Sequence, residues 1–166
     1  MNNVTENTKV IYVGIDVHKD TNSFCAYDSR EDKLFAEHKS SSKFENTLHY
    51  LKNLQKSVGQ DAVFLIGYEA GPTGYGLCRK LQKEGFACVI IAPSTIARAP
   101  GQKVKTDRMD ARLLAKTLAF KTYSPVCLPS EKLEAIKEYT RVRTVNFADK
   151  WLQESFEEYH AEVITL

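Results

Sequence analysis

Four acidic residues stand where their types and spacing could hold a divalent metal ion: Asp16, Glu69, Asp107 and Asp110. Asp107 and Asp110 lie three positions apart inside "KVKTDRMDARLLAKTLAF", a stretch rich in Lys and Arg. On a helix that spacing puts both carboxylates on one face. Thr106 is a capping residue type, and acids in a first turn suit the positive end of a helix dipole, so this pair alone needs no chemistry to explain it. Asp16 does. It sits inside the apolar run "VIYVGIDV", where an uncompensated carboxylate costs on the order of several kcal/mol. Glu69 ends a second apolar run, "FLIGYE", directly before the turn-forming "AGPTGYG".

Carboxylates gathered in one crevice repel one another unless a cation holds them, and an all-oxygen set suits Mg²⁺ or Mn²⁺ rather than zinc. Two such ions about 4 Å apart clamp the attacking and leaving oxygens of a phosphodiester displacement. The basic residues Lys19, Arg98, Lys103, Lys105, Arg108 and Arg112 then read as contacts for nucleic-acid phosphates delivered to that centre. His18, two residues from Asp16, shares its strand face. A metal or proton-transfer role is open to it, although a solvated histidine at a strand end is the plainer reading. "AGPTGYG" lacks the lysine and hydroxyl spacing of a P-loop and reads as a turn that positions Glu69 and opens a helix. Most aromatics are core candidates; Tyr75, beside glycines, is the one placed to stack on a ligand.

Positioning these acids requires an α/β domain. "KVIYVGIDVHKD" reads as a buried strand, and "TNSFCAYD" and "KLFAEHK" as two more in a meander. Ser42 and Glu45 form a capping-box pattern ahead of an amphipathic helix over 43–57. The rhythm then alternates: strand "AVFLIGYE", helix "TGYGLCRKLQKEG" ended by Gly85, strand "ACVII", and a helix over 107–120. The expected product is a mixed five-stranded sheet flanked by helices, with the acids at the carboxyl ends of adjacent parallel strands. The domain is expected over 10–122, after a flexible 1–9, with a linker over 123–130 and a helical extension over 131–166. The stripe Val145, Ala148, Leu152, Phe156, Tyr159 and Val163 on that extension offers a surface for a homo-oligomer or for packing on the main domain.

The 166 residues are 43% hydrophobic and 27% charged, enough to bury the core of one domain. Net charge is only +2, so a nucleic-acid partner follows from local clustering rather than from overall balance. Cys25, Cys78, Cys88 and Cys127 show no metal-ligand spacing and read as reduced cysteines. No apolar run has membrane-spanning length and no signal peptide opens the chain, so a soluble, cytoplasmic protein with no membrane partner is expected.

"YVGIDVHKDT", "YEAGPTGYGL" and "KTDRMDARLLA" resemble, in order, the three catalytic blocks of the DEDD insertion-sequence transposases related to the Piv DNA invertases. The resemblance spans roughly residues 10 to 121. It implies a RuvC-like domain of the ribonuclease H fold, with Asp16, Glu69, Asp107 and Asp110 as the metal-binding DEDD acids. It also implies DNA as substrate, transposition or site-specific recombination as activity, and in some relatives a guide RNA. In the family a helical region leads on to a second domain with a serine nucleophile; this chain stops at Leu166 and includes none. Two other functions compete. One is a catalytically silent fragment that binds nucleic acid or dimerises. The other is an actin-like or sugar-kinase ATPase, echoed by "GIDVHKDT" but lacking the glycine and threonine of that phosphate loop and a second lobe.

Overall fold

The computed structural model describes residues 9–59, 61–71, 74–96 and 106–143. Arg98, Lys103 and Lys105 lie outside them, as does the apolar stripe beyond residue 143. By chain contacts there are two compact units, Met1–Val126 and Cys127–Leu166.

The first unit is built on one sheet. Its strands are β1 (Val10–Val17), β2 (Thr21–Asp28), β3 (Lys33–Ser41), β4 (Val63–Glu69), β5 (Ala87–Ile91) and β6 (Pro125–Val126), in the order β3-β2-β1-β4-β5-β6. β1, β4 and β5 run parallel, while β2, β3 and β6 are antiparallel to their neighbours. The mixed α/β sheet is therefore the expected one with a sixth strand added. That strand comes from the stretch read as linker: two prolines hid it, and only pairing with Ile90 and Ile91 makes two residues a strand.

The helices are α1 (Phe44–Val58), α2 (Gly76–Lys83) and α3 (Asp107–Ala119). α3 covers one sheet face. Its buried residues Ala111, Leu114, Ala115 and Leu118 recur at i, i+3, i+4 and i+7, and each buried leucine contributes roughly 2 kcal/mol. Thr106 caps it as expected, accepting from the Met109 N–H. The expected capping box of α1 does not form: Lys43 occupies the cap with no side-chain hydrogen bond. The Ser42 hydroxyl donates instead to the Lys19 carbonyl at 2.7 Å, which ties the start of α1 to the β1–β2 turn. α1 and α2 cover the opposite face. Asn22 donates to Thr47 of α1 at 3.1 Å, and the Tyr68 hydroxyl accepts from the Cys78 N–H of α2.

Gly14 of β1 lets α3 seat closely. A Cβ there would collide with the Ala111 carbonyl oxygen and lie 2.5 Å from the Ala115 nitrogen. Gly67, opposite Gly14 in the β1–β4 register, meets the Leu118 side chain in the same way. Cys25, Cys78 and Cys88 are buried and unbridged; Cys127 is exposed. In the second unit α4 (Glu131–Arg143) starts at Ser130, whose Oγ accepts from the Leu133 N–H at 3.2 Å. Among the described residues no helix is long and apolar enough to cross a membrane.

Candidate metal centre

Strand parity decides where the acids point. Gly14 and Gly67 face α3, so Asp16 and Glu69, each two residues further along, face it too. The last β1–β4 pair is Ile15 with Tyr68; Asp16 and Glu69 follow it side by side at the carboxyl edge. On the other flank Asp16 is opposite Ser23, and Ser23 is opposite Lys39. Over this row comes the first turn of α3. Asp107 precedes Ala111 by four residues and Asp110 precedes Leu114 by four, so both prolong the sheet-facing stripe past the apolar core.

Asp16 and Asp107 meet through His18. The His18 Nε2 is 2.9 Å from Asp16 Oδ2 and 3.5 Å from Asp107 Oδ1. One ligand atom from each of Asp16, His18 and Asp107 falls within 4.8 Å of the others, the reach of a single cation's coordination sphere. Lys39 Nζ sits 2.7 Å from Asp107 Oδ2. Asp110 and Glu69 border this group without joining it. Asp110 is nonetheless close enough for its charge to act on Asp16: the Asp16 carboxyl is pushed above its ordinary value by burial first, and further by Asp110 and Asp107, while His18 pulls the other way. Asp107 is held below the ordinary carboxylate value, mainly by the hydrogen bond from Lys39.

The basic residues divide. Arg108 and Arg112, one turn apart on α3, both direct Nε at the Glu37 carboxylate of β3. Any phosphate they hold is shared with that acid. Lys19 is exposed in the β1–β2 turn beside the site. Tyr75, at the start of α2, is half-buried with the Arg79 guanidinium 5.7 Å over its ring. An open groove of about 620 Å³, lined by Ser23, His38, Lys39, Thr106 and Asp107 among others, runs from the acids along β3.

The sequence offered His18 as a secondary candidate and gave no sign of Lys39 or Glu37. His18 left a signal in its spacing from Asp16, but a lone histidine does not announce its partners. Lys39 and Glu37 left none, because a β-bulge puts them beside α3. The β2–β3 register shifts between Phe24 and Ala26, with Ala36 and Glu37 opposing Cys25.

The family model of the IS110-type DEDD transposases, described as "Transposase", matches residues 13–153. The chain is 33% identical over 134 residues to the transposase for insertion sequence element IS1533 of Leptospira borgpetersenii, an alignment covering 80% of this chain and 38% of that one. It is 48% identical over 77 residues to a Sinorhizobium fredii protein provisionally named transposase y4qE, covering 46% of this chain and 20% of that one. The chain thus spans less than two fifths of the length of these relatives. Among solved structures, the large terminase of the thermophilic bacteriophage D6E aligns with a TM-score of 0.37 and 13% identity, over 81% of this chain and 40% of that one, too loose a likeness to bear on function.

Proposed function

Because the chain belongs to the DEDD transposases of the IS110 type, we propose that it is their metal-dependent DNA-cleaving domain, with Asp16, Glu69, Asp107 and Asp110 as the acids that hold Mg²⁺ or Mn²⁺. The observation that carries this reading is the convergence of Asp16, His18 and Asp107 within 4.8 Å, from segments about ninety residues apart in sequence. The donors fit a hard divalent cation: carboxylate oxygens predominate, and the half-buried Asp16 stands among like charges that a cation would relieve. Bound there, one or two such ions would supply an activated oxygen nucleophile and charge neutralisation at the leaving oxygen.

The chain's own residues prepare that site. β1 and β4 present Asp16 and Glu69 from rigid strand ends, and α3 lowers Asp107 and Asp110 over them. Lys39 supplies countercharge to Asp107 and faces the groove along β3, where a nucleic-acid strand would pass its phosphates; Lys19 flanks the opposite side of the turn. Arg98, Lys103 and Lys105 precede α3 in the sequence and are proposed as further phosphate contacts. Strand transfer, guidance by an RNA, oligomerisation through 131–166 and a serine-bearing partner domain are proposed for the whole protein to which such a domain belongs. The catalytic domain is proposed to run from residue 10 through β6 to Val126, four residues past the expected end at 122, with the helical extension beyond it.

Incubation with branched and duplex DNA tests the reading: Mg²⁺-dependent nicking, abolished by Glu69→Gln, is expected. Binding of nucleic acid with no cleavage under any divalent ion would favour the silent binding or dimerising module instead. A second measurement concerns Lys39. Since the ammonium competes with a metal for Asp107, Lys39→Met should tighten Mn²⁺ binding by about threefold, within the worth of an exposed ion pair, while weakening DNA binding. Unchanged Mn²⁺ affinity by calorimetry would show that the ammonium does not compete for that carboxylate.

A further inference from the structure

We propose that Glu37 is a positioning residue for the metal centre: its carboxylate, turned toward α3 by the bulge in β3, locks the acid-bearing first turn of that helix over Asp16. This rests on the metal reading of the site.

Apolar burial does not hold that turn. Asp107, Arg108, Met109 and Asp110 are none of them buried, and the first buried residue of α3 is Ala111. The apolar stripe and Gly14 set how close the helix lies to the sheet. They leave rotation and tilt of the first turn to polar contacts, among them His18 and Lys39 to Asp107, and Glu37 to Arg108 and Arg112. The two arginines flank Asp110 along the helix, so a single carboxylate grips the turn on each side of it. Arg112 first, and Arg108 with it, holds the Glu37 carboxyl below its ordinary value of 4.5, so it stays ionised throughout the neutral range.

The bulge is what makes this possible. Phe35 is opposite Ala26, which is opposite Val13, so Phe35 points away from α3. In a regular strand Glu37 and Lys39 would share that face. The additional residue reverses the alternation, and both side chains emerge toward α3. Ala36 has φ +52°, a left-handed conformation that disfavours a residue with a Cβ. Its carbonyl is held by the Tyr50 hydroxyl at 2.6 Å. A strained, pinned backbone at this point aims two charged residues at the candidate centre.

The test compares Mn²⁺ binding by calorimetry in the full chain and in Glu37→Gln, Glu37→Ala and Glu37→Asp. Glu37→Gln and Glu37→Ala should weaken binding at least tenfold, the range found when the groups that orient metal ligands are removed. Glu37→Asp should recover part of that loss. The weakening should persist in 1 M salt, where screening acts within about 3 Å, because misplacement of ligands is not screened whereas freed arginine charge is. Wild-type affinity in Glu37→Gln, or a loss that disappears in high salt, would overturn the positioning role. Failure of the metal reading itself looks different: the parent protein, with Glu37 intact, would bind no Mn²⁺ at the acids. Circular dichroism of Glu37→Gln should match the parent; an unfolded variant would assign Glu37 to the fold and overturn the proposal.

Discussion

Asp107→Asn is expected to weaken Mn²⁺ binding by about 100-fold or more and to eliminate metal-dependent nicking, with little change in stability. Loss of a group that merely orients a ligand costs 10- to 100-fold, and Asp107 is argued to be a ligand. Its side chain is 40% exposed and its ion-pair partner Lys39 56% exposed, so that pair contributes at most about 1 kcal/mol to folding. Asp16→Asn should have the same functional effect with the opposite tendency in stability. Burial and the neighbouring acids raise the Asp16 carboxyl, so the ionised form costs folding free energy at neutral pH. That cost disappears as pH falls through the raised value, and the amide never incurs it. The Asp16→Asn protein should therefore melt at or above the parent temperature at pH 7. Calorimetric titration and thermal melts check both variants, and undiminished metal binding in both would remove the metal assignment.

Gly14→Ala is expected to be the most disruptive single methyl group in the domain. Its Cβ would meet backbone atoms of two α3 residues, the Ala111 carbonyl and the Ala115 amide, and neither can turn aside as a side chain can. Overpacking of this kind costs about 1 to 3 kcal/mol, and contact with backbone on both sides places it near the upper end. A loss of about 3 kcal/mol would lower the melting temperature by roughly 10 °C in a domain of this size. Because α3 must lift or slide, Asp107 and Asp110 move with it, and Mn²⁺ affinity should fall as well. Gly67→Ala is the control: its nearest neighbour is Leu118 Cδ2 at 2.7 Å, the end of a flexible side chain, so about 1 kcal/mol and near-normal metal binding are expected. A Gly14→Ala protein that matched this control would contradict the close seating of α3.

Much of the architecture was legible because its signals are local. β2 and β5 lie where "TNSFCAYD" and "ACVII" predict them, and Thr106 caps α3 as its type predicts. Patterning and turn chemistry are properties of a few adjacent residues. Ser42 marks where this stops working: its hydroxyl has an alternative partner in the Lys19 carbonyl, and only the folded chain brings that carbonyl within reach. β6 illustrates the same limit, since its two residues become a strand only by pairing with β5.

For the candidate centre, the sequence by itself determined which acids were available and that Asp16 needed a partner, because an apolar strand around a carboxylate is a cost visible without coordinates. The family blocks added their order along the chain. Tertiary structure alone decided who the partners are. His18 bridges Asp16 and Asp107, Lys39 answers Asp107, and Glu37 occupies two arginines that clustering had marked for phosphate. The physical reason is that charge acts through space. Contacts between β3 and α3 span about seventy residues of chain, and a bulge of one residue reverses which face a strand presents, so no pattern along the sequence records them.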